Sequence, residues 1–359
     1  MQIRKLVTFA TAGFLALSLA ACGGAATPKA EEKPAETKTE NHDNKKAEIN
    51  KDETLVVYSG RNEKLVGPLL EQFTNDTGIK IDVRYASTPE LATQLVEEGD
   101  KTPAHVFLSQ DAGALGLVGG KGLFAHMPHE LAEKVDAKFS AKDHSWVGLT
   151  GRARVIAYDS EALKADEVPT DVWELTDPKW KGQIGIAPSN ASFQSFVTAL
   201  RVAEGEEKAE EWLKKIIANE PQKFGKNGEI LEAVNNGSVK LGLINHYYWA
   251  RSEKDPKTLR AQLKFGKPGT PSALINVTGI GILKNAEKNG NAHAFVEYLL
   301  SEKGQKYFVE KTYEYPLVAG IGEPANVPPL SELGGADIDL SKLDSLEDTV
   351  KLLNKVGLL

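Results

Sequence analysis

Two adjacent tyrosines follow an apolar run in the second half of the sequence. The stretch LGLINHYYWARS, residues 241–252, places Tyr247 and Tyr248 directly before Trp249. Neighbouring side chains point to opposite faces within a strand, but both rings can turn toward one point where the strand ends and the chain bends. A phenol binds metal only when the metal displaces its proton, because its pKa is about 10. The pair therefore either packs in the core or serves a strongly charged, oxygen-seeking cation such as Fe³⁺.

A ferric site built from two phenolates would still need an anion. The phenolates cancel two of the three charges of Fe³⁺, and carbonate or a similar anion could cancel the third. Softer or divalent cations would instead be held by Cys, His and carboxylates. Arg61 is a candidate partner for the anion, because its planar guanidinium matches carboxylate and carbonate.

Alternating strands and helices are expected to position these residues. Apolar and alternating runs predict strands at 54–59, 79–85, 105–109, 154–159, 183–188, 239–245 and 274–283. Helical patterns between them predict an α/β protein with largely parallel sheets, and the last strand is expected to return into the first sheet. The folded part exceeds the size at which one core usually stops growing, so two lobes are expected.

Four loops are expected to meet in the cleft between these lobes. In open α/β sheets, ligands lie beyond the carboxyl ends of strands, often at helix N-termini. The loops in that position are 59–62, 109–111, 189–192 and 246–248. The third loop opens an amphipathic helix that includes Phe193, so its backbone N–H groups can hold an anion. The sequence thus predicts an anion site that faces the pair of phenols.

The N-terminal residues are typical of an export signal. Arg4 and Lys5 precede an apolar stretch that ends in the letters LAAC at 19–22, a pattern similar to the bacterial lipobox. The stretch is shorter than the ~20 residues that a membrane-spanning helix needs. We therefore predict a signal peptide over 1–21 and lipidation of Cys22, the single cysteine of the chain.

The residues after the signal predict a tether. Residues 22–53 are rich in charged and small residues of both signs, so we expect a lipid-anchored, disordered linker that holds the folded part away from the membrane. The chain carries a net charge of −7 with dispersed Lys and Arg, which is not the basic patch that nucleic acid requires. The expected contact with a membrane is therefore the lipid anchor alone, and no nucleic-acid partner is expected.

Motifs spread over 54–359 resemble those of the ferric-binding solute receptors of ABC transporters, a bacterial transferrin-like family. The motifs are VYSGRNEKLVGPLLEQFTNDTGIKI, EEGDKTPAHVFLSQDAGAL, GRARVIAYD, INHYYW and EYPLVAG. The resemblance implies a two-lobe, periplasmic-binding-protein-like fold with a ligand cleft between the lobes. It also implies a monomeric, extracytoplasmic protein that is not an enzyme and delivers ferric ion to an ABC permease and its ATPase. The expected lobes comprise 54–151 with 276–325, and 152–275 with 326–359.

The site residues of this family can be carried over by position. Its iron-binding tyrosine pair falls on Tyr247 and Tyr248, and some members add a His, a Glu or a third Tyr where this chain has Asn62, Gln110 and Asn190. Its anion-holding positions fall on Arg61, Arg152, Asn190, Ala191 and Asn227. The resemblance therefore implies that the anion and water complete the coordination of Fe³⁺, with Asn62 and Gln110 as candidate cleft residues.

Several other residues admit alternative interpretations. His126 and His129 could suggest a divalent metal site, but Pro128 before His129 is more typical of a surface helix start. His246 could bind a ligand or support the backbone, and Asp111 could line the cleft or cap a helix.

Two other classes of function are considered beside the ferric receptor. An enzyme is disfavoured, because the sequence has no GxSxG elbow, no phosphate-binding P-loop and no cysteine nucleophile. A receptor for another anionic or organic solute, such as a phosphonate or a thiamine-like ligand, remains the alternative. In that protein the tyrosines and Trp249 would stack on a ring instead of coordinating a metal.

Overall fold

The structure is a computed structural model that describes residues 47–359. The strands of this range are β1 (Leu55–Ser59), β2 (Ile81–Tyr85), β3 (Val106–Ser109), β4 (Val147–Asp159), β5 (Ile184–Ile186), β6 (Gln222–Lys223), β7 (Leu241–Asn245), β8 (Ala261–Phe265), β9 (Ile275–Ile282) and β10 (Tyr315–Pro316). Its α-helices are α1 (Glu63–Thr77), α2 (Thr88–Glu98), α3 (Ala112–Gly120), α4 (His129–Ala132), α5 (Ala191–Glu204), α6 (Glu206–Ala218), α7 (Asn227–Asn235), α8 (His246–Ala250), α9 (Gly290–Leu299), α10 (Glu302–Tyr307) and α11 (Leu346–Lys355).

The strands follow one continuous order, β2-β1-β3-β9-β4-β7-β5-β6, and β8 and β10 also pair with β4. In the first half, β1 pairs in parallel with β2 and β3, whereas β9 runs antiparallel to β3. In the second half, β5 is parallel to β6 and β7, whereas β7 and β8 are antiparallel to β4. The α/β class is confirmed, but the expectation of largely parallel sheets is wrong. The reason is that β4 and β9 carry the chain between the halves in the direction opposite to that of their neighbours.

Strand β4 takes part in both halves of the sheet. Its residues 147–153 pair with β9, and its residues 154–159 pair with β7 and β8. All 13 residues of the strand are buried. The sequence pattern predicts only the second part, because Gly148, Gly151 and Arg152 interrupt the apolar run by which a buried strand is recognised.

The return strand and the helix behind the predicted anion loop are confirmed. Strand β9 pairs with both β3 and β4, as predicted for 274–283. Helix α5 buries Phe193 and Phe196, and the ring of Phe196 meets that of Trp212 in α6 edge-on at 5.4 Å. This packing fixes α5 against α6.

The described end of the predicted linker lies against the folded part. The backbone N–H of Asn50 donates to Oδ1 of Asn291 at 3.0 Å, and Nδ2 of Asn291 donates to the carbonyls of Asn50 and Glu53 at 2.7 and 3.0 Å. The backbone of residues 50–53, at the end of the predicted linker, is therefore held by the side-chain amide of Asn291 in α9. The predictions for the signal peptide, for Cys22 and for the remaining linker lie outside the described residues. Among residues 47–359, no helix is long and apolar enough to cross a membrane.

Candidate functional site

The paired tyrosines lie on a short helix at the end of β7. The strand ends at Asn245 and α8 begins at the next residue. Tyr247 is buried and Tyr248 is half-buried, and their rings stack with centroids 4.4 Å apart and planes 29° apart. The guanidinium of Arg251 lies 5.7 and 5.1 Å from the two ring centroids, within the range of cation–π contacts. The bend at the strand end thus places both rings side by side.

Burial keeps the first phenol protonated when no cation is present. It raises the pKa of Tyr247 far above its ordinary value, and the neighbouring Tyr248 raises it further. The positive charges of Arg61 and Arg152 oppose this rise in the pKa without cancelling it. A cation that binds here must therefore displace a proton, and a highly charged cation has the strongest tendency to do so.

His246 supports the backbone at the base of this helix. Its Nδ1 accepts a hydrogen bond from the N–H of Ala153 at 3.1 Å, so its Nε2 carries the proton and donates to the carbonyl of Tyr313 at 2.9 Å. Burial lowers the pKa of His246 to about 4, which keeps the ring neutral near pH 7. Because the backbone occupies both ring nitrogens, the supporting role is favoured over that of a ligand.

Three buried arginines surround the tyrosines. Arg61 follows β1, whereas Arg152 and Arg154 alternate along β4 and therefore lie on the same face of the strand. Arg61 interacts electrostatically with both tyrosines, and Arg152 interacts with Tyr247. Arg154 interacts with Tyr248, and burial lowers the pKa of its guanidinium to about 9.

Much of the hydrogen-bonding capacity of these arginines is unused within residues 47–359. The nitrogens without a partner are Nε of Arg61, Nε and Nη1 of Arg152, and Nε and Nη2 of Arg154. An unpaired buried donor costs about 1–3 kcal/mol, and more when it carries charge. Such a group of donors is suited to an anion that offers several acceptor oxygens.

A polar network lies at the N-terminus of α5, next to Arg154. Asn190 caps the helix, and its Oδ1 accepts hydrogen bonds from the N–H and the hydroxyl of Ser192 at 3.0 and 2.7 Å. The hydroxyl of Ser192 in turn accepts from Nδ2 of Asn227 at 2.9 Å and from Nη1 of Arg154 at 3.3 Å. The Oδ1 of Asn227 is buried without a partner. The loop at 189–192 and the start of α7 are thereby joined to the second arginine of β4.

A family model described as bacterial extracellular solute-binding protein matches residues 101–333. This chain belongs to the bacterial extracellular solute-binding proteins.

Curated and solved relatives of this solute-binding protein carry names that refer to iron. The "Fe(3+)-binding periplasmic protein" of Serratia marcescens is 31% identical over 86% of this chain and 91% of its own length. Iron-bound HitA from Pseudomonas aeruginosa superposes with a TM-score of 0.80 at 30% identity, over 85% of this chain and 99% of its own. IdiA (FutA) from Trichodesmium, solved with iron and citrate ligands, gives a TM-score of 0.72 at 29% identity, over 86% and 100% of the two chains. The resemblance to the ferric-binding receptors and the two-lobe fold class are therefore confirmed. These relatives are binding proteins, which supports a non-enzymatic role at the level of the family.

The other predicted cleft residues of this solute-binding protein, Asn62, Gln110 and Asp111, differ in their surroundings. Asn62 is exposed in the loop after β1, and its side chain caps α1 by accepting from the N–H of Lys64 at 2.9 Å. Gln110 is half-buried, and its carbonyl accepts a hydrogen bond from Nη2 of Arg152. Asp111 caps α3 by accepting from the N–H of Ala114 at 3.1 Å, as the capping interpretation predicted.

Three further residues belong to the site beside the predicted ones. Arg154 could be found from its spacing of two from Arg152, and Ser192 lies within a predicted loop. Glu314 follows a left-handed residue, Tyr313, and its carboxylate pairs with Arg61. Nothing in the local sequence around Glu314 indicates this partner, which lies 253 residues away.

The surface histidines lie where the sequence places them. His126 and His129 are exposed, and α4 begins at His129 after Pro128, as the sequence indicates. The described part of the chain contains no group of three or more His, Cys, Asp or Glu side chains that could hold a metal ion. A metal-binding role in this part of the protein would therefore have to use other ligands, such as the phenols.

Proposed function

We propose that this protein captures ferric ion as an extracytoplasmic receptor and delivers it to an ABC permease. Tyr247 and Tyr248 would bind the ion as phenolates, with an anion such as carbonate beside it. The observation that carries the proposal is the stack of two phenols among three buried guanidiniums. This arrangement combines two oxygen ligands that a trivalent cation can deprotonate with donors for the anion that accompanies it.

The anion would lie between β4 and the N-termini of α5 and α7. The residues that would contact it are the predicted Arg61, Arg152, Asn190, Ala191 and Asn227, together with Arg154 and Ser192. The unpaired guanidinium nitrogens of the three arginines support this position. The N–H groups at the start of α5 would add a partial positive charge, because a helix N-terminus favours negative charge.

The anion would also complete the coordination of the metal. The described residues offer no His or carboxylate cluster, so two phenolates leave several positions of Fe³⁺ for the anion and for water. The citrate in the complex of the Trichodesmium relative supports a carboxylate in this role. Bare iron with carbonate and an iron–carboxylate chelate would both suit the same donors.

The colour of the protein separates this proposal from a receptor for an organic solute. Addition of ferric ion and bicarbonate to purified apo protein should produce a visible absorption band, because phenolate donates charge to Fe³⁺. A phosphonate or thiamine-like ligand stacked on the rings would leave the protein colourless. A colourless protein at saturating iron would remove the ferric assignment.

Closure of two lobes is a prediction of the receptor model. We propose lobes of 54–151 with 276–325, and of 152–275 with 326–359, which would close on the cargo by a hinge motion. Small-angle X-ray scattering should show a smaller radius of gyration with ferric ion and bicarbonate than without them. Bicarbonate alone serves as the control. Superposable profiles with and without iron would contradict closure.

Lipid anchoring is a second prediction, and it concerns residues outside the described range. We propose that Cys22 is lipidated after removal of 1–21, so that the protein is held at the outer face of the cytoplasmic membrane or at the cell surface. Replacement of Cys22 by Ala should move the exported protein from the membrane fraction to the soluble fraction. Ala21→Gly, which keeps the cysteine, is the control. Unchanged fractionation of Cys22→Ala would exclude the anchor.

A further inference from the structure

Glu314 is a fully buried carboxylate among the positive charges of the site. One of its oxygens pairs with Nη2 of Arg61, and the other accepts a hydrogen bond from the hydroxyl of Thr150. The side chains of Arg61 and Glu314 are 1% and 0% exposed, so water screens their interaction little. The burial of an ionised carboxylate is costly unless it is paired, and this site provides both a charge and a hydroxyl for it.

The electrostatic influence of this carboxylate extends beyond its ion-pair partner. The charge of Glu314 raises the pKa of the Tyr247 phenol and counteracts the effect of burial on the pKa of the Arg61 and Arg152 guanidiniums. Asp111 is a second carboxylate that acts on Arg152, but it caps α3. Glu314 is therefore the carboxylate that pairs with an arginine of the site and also acts electrostatically on the first tyrosine.

The backbone on both sides of Glu314 is fixed to the tyrosine helix. Tyr313 has a left-handed φ of 56°, and its carbonyl accepts the hydrogen bond from His246. The ring of Tyr315 stacks on His246 at 4.6 Å, and Tyr315 pairs with Gly151 of β4. A bulky residue in a left-handed conformation persists only where its surroundings enforce it. The carboxylate of Glu314 thus has a defined position relative to both tyrosines.

We propose that Glu314 is a specificity-determining residue that competes with free anions for Arg61. In the absence of cargo, its carboxylate pairs with Nη2 of that guanidinium and neutralises one of the three positive charges that the arginines supply. A free phosphate or sulfate then meets a weaker attraction in the cleft. When ferric ion is present, its own charge restores the attraction, so the cleft takes an anion chiefly together with the metal. The inference rests on the assignment of Arg61 to the anion site.

Binding of inorganic phosphate to the iron-free protein tests this inference by isothermal titration calorimetry. Glu314→Gln keeps the shape and a hydrogen-bond acceptor but removes the charge, so phosphate should bind about tenfold more tightly than to the wild type, because the repulsion between the carboxylate and the anion is lost. Glu310→Gln removes the same charge from an exposed position four residues away and should bind phosphate as the wild type does. Thr150→Val keeps the charge of Glu314 and should also stay close to the wild type.

Two further variants show whether Glu314 acts through Arg61. In the Arg61→Met background, Glu314→Gln should tighten phosphate binding by a smaller factor, because it no longer frees a guanidinium and removes only the repulsion between the carboxylate and the anion. If Glu314→Gln does not fold, Glu314→Asp replaces it, since its shorter side chain withdraws the charge from Arg61 and should tighten phosphate binding by a smaller factor. A purely structural carboxylate would change the unfolding midpoint in these variants but not the ratio of phosphate affinities with and without ferric ion.

The outcomes separate this inference from the proposed function. Tighter phosphate binding by Glu314→Gln, with a reduced gain when ferric ion is added, supports the role of Glu314. Phosphate affinity equal to that of Glu310→Gln, or no phosphate binding by either protein, overturns it. Neither of these results affects the ferric assignment, which is decided by the visible band and by the tyrosine variants.

Discussion

Tyr247→Phe and Tyr248→Phe are each expected to abolish the visible absorption band of the ferric protein or to shift it strongly. Each substitution removes one charged oxygen ligand and leaves the stacked ring in place. The affinity for Fe³⁺ should fall by more than the roughly 10–100-fold that follows the loss of a residue that only orients a metal ligand. The measurement is a ferric titration of the wild type and both variants, followed in the visible range at fixed bicarbonate.

The control for these variants is a tyrosine that lies away from the cleft. The hydroxyl of Tyr298 donates to Asp76 at 2.6 Å, so Tyr298→Phe removes a phenol oxygen without touching the site. Its titration should match that of the wild type. If both site variants also titrate normally, the tyrosines only pack against each other, and the receptor for an organic solute becomes the better assignment.

Arg61→Met is expected to destabilise the folded protein by about 3–5 kcal/mol in the absence of iron. The substitution leaves Glu314 as a buried carboxylate without a charged partner, and the loss of one member of a buried ion pair has costs of this size. The double variant Arg61→Met/Glu314→Gln removes the uncompensated charge and should regain at least half of the lost stability. Urea unfolding of the apo proteins at pH 7 measures the difference.

An exposed arginine provides the comparison for this experiment. Arg84 is exposed on β2 and its guanidinium lies 5.5 Å from the ring centroid of Tyr58, so Arg84→Met should change the free energy of unfolding by no more than about 1 kcal/mol. A double variant no more stable than Arg61→Met would show that the ion pair is not what maintains this part of the fold. The double variant should also bind ferric ion with less dependence on bicarbonate, because a guanidinium for the anion is gone.

The elements that carry the site could be predicted from the sequence because their signals are local. The end of an apolar strand before Tyr247 predicts a bend, and the amphipathic pattern after Asn190 predicts the helix whose N-terminus faces the cleft. The paired phenols indicate the chemistry of the ligand, because a phenol binds a metal only when a strongly charged cation displaces its proton. These inferences need only neighbouring residues and the periodicity of strands and helices.

The residues that the sequence does not identify owe their positions to the tertiary fold. Glu314 meets Arg61 only after the chain has completed both halves of the sheet. Polar residues of a buried strand, such as Arg152, interrupt the apolar pattern by which the strand is recognised. Their role becomes evident only when the fold shows that the strand lies beside the cleft. The position of Asn62 after β1 predicts its loop, but the hydrogen bond by which its side chain caps α1 could not be read from that position alone. A position in the sequence predicts where the backbone goes more reliably than which way a short polar side chain turns.

The change of partner along β4 has a mechanical consequence for the proposed cargo. Arg152 lies opposite Asn276 of β9, and Arg154 lies opposite Asn245 of β7, so the two guanidiniums stand on either side of the point where the strand passes from one half to the other. Any bending of β4 at that point would alter the distance between them. An anion bound by both arginines would fix the distance between them and so restrict bending of β4 at this point. Hydrogen exchange of the Ala153 amide should then be slower with the anion bound than after its release. Strand β4 alone would then couple the binding of the cargo to the relative motion of the lobes.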